Sequence, residues 1–540
     1  MIMPTISFKK TVLNYNDTGL LNNLISDYLT NAKKVRPYYQ YTPDINAFKS
    51  AIDNRQKFPL FRQQLSDTLK LQNKLYLEDY TLIKENIDLL KEKNTFTVTT
   101  GHQLCIFTGP LYYIYKIIST INLAEALKEK YPDYHFVPVY WLSGEDHDFE
   151  EINHIHLFNK KLVWQQNVSG PAGKLSTDSM TQLLAELKEV MGVGAPADEL
   201  YKLFEEAYLF NASLSDATRF LVNRLFGKYG LVVCDGDTAE LKKLFLPVIK
   251  DELNLQKSVS LVEATTVALS KDGYKPQVNP RNINLFYMEE GLRERIVLSS
   301  NGNYTVLNTE LIFTHEEILK LADEHPEKFS PNVVLRPMYQ ECILPNLAYV
   351  GGPGELAYWL QYRSLFEESK IHYPVLILRS GLLWMDAKSM KKWRALNLTI
   401  TDLLKSLEEL VALYINKLEE DKFDFENEKL MLHQLFDTLK SKVIAIDKSL
   451  EGSVAAELQK TLNALDALHK KTNAAFKRKH DTSLTQLKSI REKVFPDGVF
   501  QERHLNFIPY YLQTGGAFIE IVKNNLKPLD FSLTVIEEAD

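Results

Sequence analysis

Apolar positions along the chain change their period several times, and each change predicts a change of element. Leu20, Leu21, Leu24, Ile25 and Tyr28 recur at the spacing of one helical face, and residues 65–90 add further stripes. This predicts a helical lead-in packed on a sheet. Two short apolar runs follow, at 96–99 and 136–142, with a helical pattern over 111–130 between them. Strand, helix and strand form a βαβ unit. It occupies about 60 residues, where roughly 30 suffice, so its loops have room for a site.

The same grammar recurs downstream. Runs at 154–158 and 162–168 predict two short strands, and 178–227 reads as an inserted helical segment. Leu231-Val232-Val233-Cys234-Asp235 reads as another parallel strand, opening onto a helix from about Thr238. Strand-like pieces within 274–310 suit a second insertion. Val333-Val334-Leu335-Arg336-Pro337 and then Leu347-Ala348-Tyr349-Val350 lead into Gly351-Gly352-Pro353-Gly354-Glu355 and a further helix. Residues 375–379 read as a last buried strand. Beyond 385, Ile400, Leu403, Leu407, Leu410 and Tyr414, then Leu435, Leu439, Val443, Ile446 and Leu450, keep three-four spacing, and proline is absent from 375 to 495. That is the signature of long helices. Gly452 is the natural tip of an antiparallel coiled coil with arms near 427–450 and 454–494.

The resulting organisation is a lead-in at 1–94, an α/β core at 95–385 with insertions near 155–228 and 256–330, a coiled coil at 386–495, and a tail at 496–540 that returns to the core. Lys plus Arg number 63 against 70 Asp plus Glu, a net charge of -7. This balance argues against a general grip on nucleic acid or anionic membrane. Residues 1–12 lack a secretory signal, and no apolar run reaches about 18 residues, so a cytoplasmic protein is expected. Cys105, Cys234 and Cys342 are far apart and read as reduced thiols.

Chemistry concentrates after the predicted strands, where open α/β sheets bind ligands. Glu145-Asp146-His147-Asp148 follows the second strand of the βαβ unit. It offers binding of a hydroxyl or amine, or acid–base work by Asp146, His147 or Asp148. A metal site completed by His154 or His156 is disfavoured, because adjacent residues along a strand end point different ways. The loop Gly101-His102-Gln103 through Thr108-Gly109-Pro110 is neither a Walker A nor a G-x-G-x-x-G motif. Thr108 suits a helix cap, and the loop can present His102 and Gln103 to an anion or amide. Gly351, Gly352 and Glu355 at a helix start, together with Arg336 and Arg379, are further anion-site candidates; Arg336 could instead anchor Glu341. Cys105, among apolar neighbours, reads as packing. Lys388, Lys391, Lys392 and Arg394 before the coiled coil and Arg491, Lys493 and Arg503 after it could gather into a second anion or nucleotide site.

Taken together, Thr100-Gly101-His102-Gln103, Phe107-Thr108-Gly109-Pro110-Leu111-Tyr112, the stretch from Trp141 through Glu145-Asp146-His147-Asp148 to Ile152, Leu335-Arg336-Pro337, Tyr349-Val350-Gly351-Gly352-Pro353-Gly354-Glu355 and Gln501-Glu502-Arg503 with Asn506 resemble the BshC family, cysteine ligases of bacillithiol biosynthesis. The resemblance covers nearly the whole chain. It implies a Rossmann-like, nucleotidyltransferase-like core with two connecting insertions and a coiled coil used for homodimerisation. It also implies amide formation between L-cysteine and the amine of glucosaminyl malate. ATP or another nucleotide is an expectation by analogy with class I synthetases, and no core metal is expected. Two alternatives from other classes are a coiled-coil scaffold that binds sugar or nucleotide, and a metal-dependent hydrolase or sugar transferase using Glu145 to Asp148.

Overall fold

The computed structural model describes residues 7–418 and 424–539; the first six residues of the stretch examined for a leader lie outside them. The central sheet has five parallel strands. Strands β1 (Thr95–His102), β2 (His135–Leu142), β3 (Val232–Asp235), β4 (Asn346–Gly351) and β5 (Val375–Leu378) stand in the order β5-β4-β1-β2-β3. All five are buried along their length, as continuous apolar or threonine-rich runs require when both faces of a sheet are covered. Three of the buried threonines of β1 are matched: Thr97 and Thr99 donate to Asn346 Oδ1, and Thr100 donates to the Val350 carbonyl.

Register decides where the site falls. His102 of β1 lies beside Leu142 of β2, and Leu142 beside Asp235 of β3. On the other flank Gly351 of β4 lies beside Leu378 of β5. Five strand ends therefore open at one edge, and each is followed by a polar segment. Helix α1 (Tyr112–Lys130) crosses from β1 to β2, α2 (Ala239–Leu255) follows β3, and α3 (Pro353–Leu360) follows β4.

The loop from β1 to α1 is built differently from the sequence expectation. Thr108 does not cap the helix: α1 begins at Tyr112, and Ile106–Thr108 form one tight turn. Phe107 and Thr108 take left-handed backbone angles, φ 50° and 68°, followed by Gly109 at 61°. Non-glycine residues hold such angles only when the surroundings over-determine them. Here they do. The Phe107 N–H donates to Tyr208 Oη at 2.7 Å, Asn506 Nδ2 donates to the carbonyls of Phe107 at 2.9 Å and Gly109 at 2.6 Å, and the Leu111 N–H donates to the Leu505 carbonyl. A Cβ on Gly109 would lie 2.6 Å from the Cys105 Cβ, so only glycine fits.

The segment between β2 and β3 holds an antiparallel pair, His154–Leu157 with Lys160–Val163, and three helices from Met180 to Phe226. Residues 285–331 contribute an antiparallel sheet that includes Leu285–Glu289, Leu292–Leu298 and Phe329–Pro331. Val333 to Pro337 is not a strand; Arg336–Ile343 is helical, with Pro337 in its first turn, where its missing N–H costs nothing.

The chain divides into two compact units, one of residues 1–384 with 499–536 and the other of 385–498 with 537–540. In the second, helices Glu426–Ile444 and Glu451–Lys479 pack together, with ion pairs Lys429–Asp466 at 3.1 Å and Lys440–Glu451 at 2.7 Å. Gly452 is not the tip. The break lies at 445–450, where Asp447 Oδ1 accepts the Ser449 N–H at 2.8 Å. The first helix stops at Ile444, Asp447 caps the short turn Lys448–Leu450 that follows, and Gly452 enters the first turn of the next helix. The second arm is also interrupted, at His480, before Asp481–Val494. Among the described residues no helix is long and apolar enough to cross a membrane.

Candidate active site

A cavity of about 960 Å³ opens at the carboxyl edge of the sheet, entirely within the first unit. Of the residues singled out by sequence, Gly101, His102, Gln103, Glu145, Asp146, His147, Arg336, Gly352, Glu355 and Arg503 line it. Asp148 is exposed and outside the lining, Gly351 ends β4, and Thr108 and Gly109 belong to the buried turn beneath.

The turn after β2 sorts its residues by environment. Glu145 points inward and pairs with Lys242 of α2, whose side chain is wholly buried and also donates to the Phe329 carbonyl at 2.6 Å. Asp146 faces the cavity; Oδ2 accepts Gln103 Nε2 at 2.9 Å, and Oδ1 accepts the His147 N–H at 2.8 Å. The same Gln103 nitrogen reaches Glu151 Oε2 at 2.7 Å, so one amide bridges two carboxylates.

His147 Nδ1 lies 2.7 Å from Arg293 Nη1. A guanidinium only donates, so Nδ1 accepts and the ring proton sits on Nε2. Burial, then the Arg293 charge, lowers the His147 pKa and favours the neutral ring. Arg293 is itself buried, with Nε on Ser330 Oγ at 3.0 Å and its guanidinium 4.0 Å above the Phe286 ring. A role for His147 as a general base is therefore opposed by its wiring. In this state it presents an N–H donor.

His102 follows the same logic. Its Nδ1 accepts the Gln103 backbone N–H at 2.9 Å, its ring lies 5.2 Å from Tyr112 and 5.1 Å from Tyr113, and the buried Nε2 has no partner. Burial, then the Lys116 charge, pushes its pKa down to about 3. His102 is a neutral donor too.

The glycine turn after β4 already holds an anion of its own. Glu355 Oε2 accepts the Gly352 N–H at 2.8 Å, Oε1 accepts Tyr349 Oη at 2.6 Å, and Lys116 Nζ lies 2.9 Å from Oε1. Against the cost of burial, the Lys116 charge and these bonds pull Glu355 down to about 2. The helix start offered by sequence as an anion site is thus partly filled by the protein's own carboxylate. Arg336 does not anchor Glu341. Nη1 donates to Gln340 Oε1 at 3.2 Å, and the buried Nη2 has no partner.

Arg379 is not free for a ligand. Its guanidinium forms a two-pronged pair with Glu502, at 2.6 and 3.0 Å, both side chains being nearly buried. The basic residues around the coiled coil also separate: Arg503 lines the cavity, whereas Lys388, Lys392, Arg491 and Lys493 fall in the second unit. There Lys493 pairs with Asp386 and bonds Ser389, Arg491 Nε donates to the Lys405 carbonyl, and Lys388 and Lys392 are exposed.

Sequence reasoning missed Lys116, Lys242 and Arg293. Lys116 carried a signal, a lone cation between Tyr115 and Ile117 on a helix buried nearly all round. A charge in such a place demands a partner.

Residues 1–380 match the family model "Bacillithiol biosynthesis BshC, N-terminal Rossmann-like domain", and residues 382–538 match "Bacillithiol biosynthesis BshC, C-terminal coiled-coil domain". The chain is 44% identical over 530 residues to a Flavobacterium psychrophilum protein described as "Putative cysteine ligase BshC", covering 98% of this chain and 99% of that one. Proteins with the same description from Flavobacterium johnsoniae and Cytophaga hutchinsonii are 42% and 37% identical; the alignments cover 97% and 98% of this chain and 99% and 98% of theirs.

Proposed function

We propose, from the premise that this chain belongs to the BshC family of bacillithiol biosynthesis, that it is a ligase joining the carboxyl group of L-cysteine to the amine of glucosaminyl malate. The product is an amide, and the step completes bacillithiol. The observation that carries the reading is the corner formed by Gln103, Asp146, His147 and Arg293, where a fixed carboxylate and a neutral N–H donor face one cavity.

Amide formation needs an activated carboxyl group, a correctly placed neutral amine and a sink for the proton it sheds. Asp146, held by Gln103 and a backbone N–H, accepts a hydrogen bond from the incoming amine, sets its direction of attack and takes up the proton it sheds as the amide forms. The Nε2–H groups of His102 and His147 stabilise the oxyanion charge that develops on the acyl oxygen, without the desolvation cost of a buried cation. ATP or another nucleotide, when bound, supplies activation of the cysteine carboxylate. The unpartnered His102 Nε2 and Arg336 Nη2, with Arg503 at the rim, fit phosphate oxygens in chemical type.

We read the segments near 155–228 and 256–330 as the two insertions of the core, and the paired helices of the second unit as an antiparallel hairpin, supported by Lys429–Asp466 and Lys440–Glu451. Leu430, Met431, Leu435 and Leu439 are exposed on the first arm, a surface suited to a second copy. Sedimentation velocity of the whole protein tests that dimer.

The chemistry is tested by mass spectrometry of reactions with purified protein, cysteine, glucosaminyl malate and ATP, each omitted in turn. An amide product with AMP or ADP is expected. No product from verified substrates with any nucleotide would overturn the self-sufficient ligase.

A further inference from the structure

The cavity's acidic groups all have donors, but three of its cations, Arg281, Arg295 and Arg503, have no acceptor among the described residues. Glu145 is met by Lys242, Asp146 and Glu151 by Gln103, and Glu355 by Lys116 and Tyr349. Arg293 is consumed by His147, Ser330 and the Pro331 carbonyl. Arg281 and Arg295 also line the cavity, yet neither guanidinium has a hydrogen-bond or ion-pair partner among the described residues. Both side chains are exposed to the cavity's solvent, and two guanidinium groups on one wall without a protein acceptor are available to bind negative charge.

The wall is rigid. Arg293 and Arg295 alternate with residues of the opposite face on the strand Leu292–Leu298, so both side chains point the same way, and Arg295 lies directly across from Phe286 in the register. Arg281 sits on the loop entering the neighbouring strand, and a buried amide holds its backbone: its N–H donates to Asn284 Oδ1 at 3.0 Å, and its carbonyl accepts Asn284 Nδ2 at 2.7 Å. Asn284 is itself fixed by Glu252 and by Asn332. The backbone beneath both arginines is thus held without any anion.

We infer that Arg281 and Arg295 bind the two carboxylates of the malyl group and so select the acceptor; the inference rests on the ligase reading. Arg295 lies two residues along the strand from Arg293, a span of about 6–7 Å, and Arg293 touches His147 beside Asp146. In the acceptor the amine on sugar C2 and the malyl group on C1 are neighbours. An amine at Asp146 therefore directs the malyl carboxylates along the strand toward Arg295 and Arg281. A guanidinium fork matches a carboxylate in shape as well as charge.

The test compares the wild type with R281Q, R295Q and the double variant, using glucosaminyl malate and a methyl glucosaminide that carries no carboxylate. Each single variant raises KM for glucosaminyl malate by about 10- to 100-fold, leaves KM for cysteine within about 3-fold, and shrinks the preference for glucosaminyl malate over the methyl glucosaminide. R295K retains part of that preference. An unchanged preference in the double variant, with melting temperature intact, overturns the inference. If the wild type makes no product, the ligase reading fails by itself, and titration calorimetry with glucosaminyl malate decides the arginines. Binding lost in the double variant supports them; equal binding overturns them.

Discussion

Replacing Arg379 by methionine separates a structural cation from a ligand-binding one. The side chains of Arg379 and Glu502 retain 4% and 7% of their exposure, and two hydrogen bonds join them. Removing one partner of such a pair leaves a buried charge uncompensated, at a cost of about 3–5 kcal/mol. The unit that holds them has about 420 residues. At roughly 2.1 cal mol⁻¹ K⁻¹ per residue its unfolding entropy is about 0.9 kcal mol⁻¹ K⁻¹, so R379M should lower the melting temperature by about 3–6 °C. E502M should cost a similar amount, and R379M/E502M should recover most of the loss, because two apolar chains replace the pair without stranding a charge. Differential scanning calorimetry of the four proteins measures this cycle, and steady-state kinetics run beside it. Single variants that melt within 1 °C of the wild type while raising a substrate KM tenfold would refute the structural assignment and return Arg379 to the site.

Three further outcomes concern the cavity and the buried turn beneath it. His102 has its folded pKa pushed to about 3, below the ordinary value near 6.5, so the unfolded chain binds the extra proton between these limits. Its contribution is complete above about pH 6.5 and declines as pH falls toward 3; urea unfolding from pH 7 to 4.5 should show wild type losing up to about 1.4 kcal/mol per pH unit more than H102Q, and equal slopes would contradict the burial of a neutral ring. Burial raises Cys105 to about 12, so iodoacetamide at pH 8 should leave it unlabelled in the folded protein and C105S should keep its turnover; peptide mapping and an activity assay check both. Gln103 bridges Asp146 and Glu151, so Q103L should lower kcat/KM by about 10- to 100-fold, the worth of a hydrogen bond to a charged group. An unchanged kcat/KM would detach that bridge from catalysis.

How much of this was legible in the sequence depended on the range of each interaction. The strands before His102 and before Ser143, and the helix between them, could be read because period and turn residues are local signals. The acidic turn was visible as a cluster, but its division of labour was not. Glu145 turns inward because Lys242, 97 residues away, receives it. Arg379 looked like a site residue for the same reason, since its partner Glu502 lies 123 residues on. Gly452 misled in the opposite direction. A glycine in a helical pattern reads as a tip, but the first turn of a helix tolerates glycine, and the break is the short turn Lys448–Leu450 that Asp447 caps. Arg281 and Arg295 lie in a segment whose sequence pattern shows only an insertion, and their meaning comes from the cavity wall they share.

The left-handed turn at Phe107 and Thr108 places the site on a clock. Its clamp, Asn506, lies 399 residues beyond Phe107. At about 5–20 residues per second, a ribosome completes the first βαβ unit, which ends at Leu142, roughly 18–73 s before it makes the Asn506 side chain that helps hold the turn. Through most of that interval the nascent chain has its first strands and Tyr208, but lacks the Asn506 bonds to the carbonyls of Phe107 and Gly109 that complete the loop between them. The ending of the chain is thus a timing device for its beginning: a protein stalled or cut before Asn506 carries His102 and Gln103 on a loop that has not yet been set.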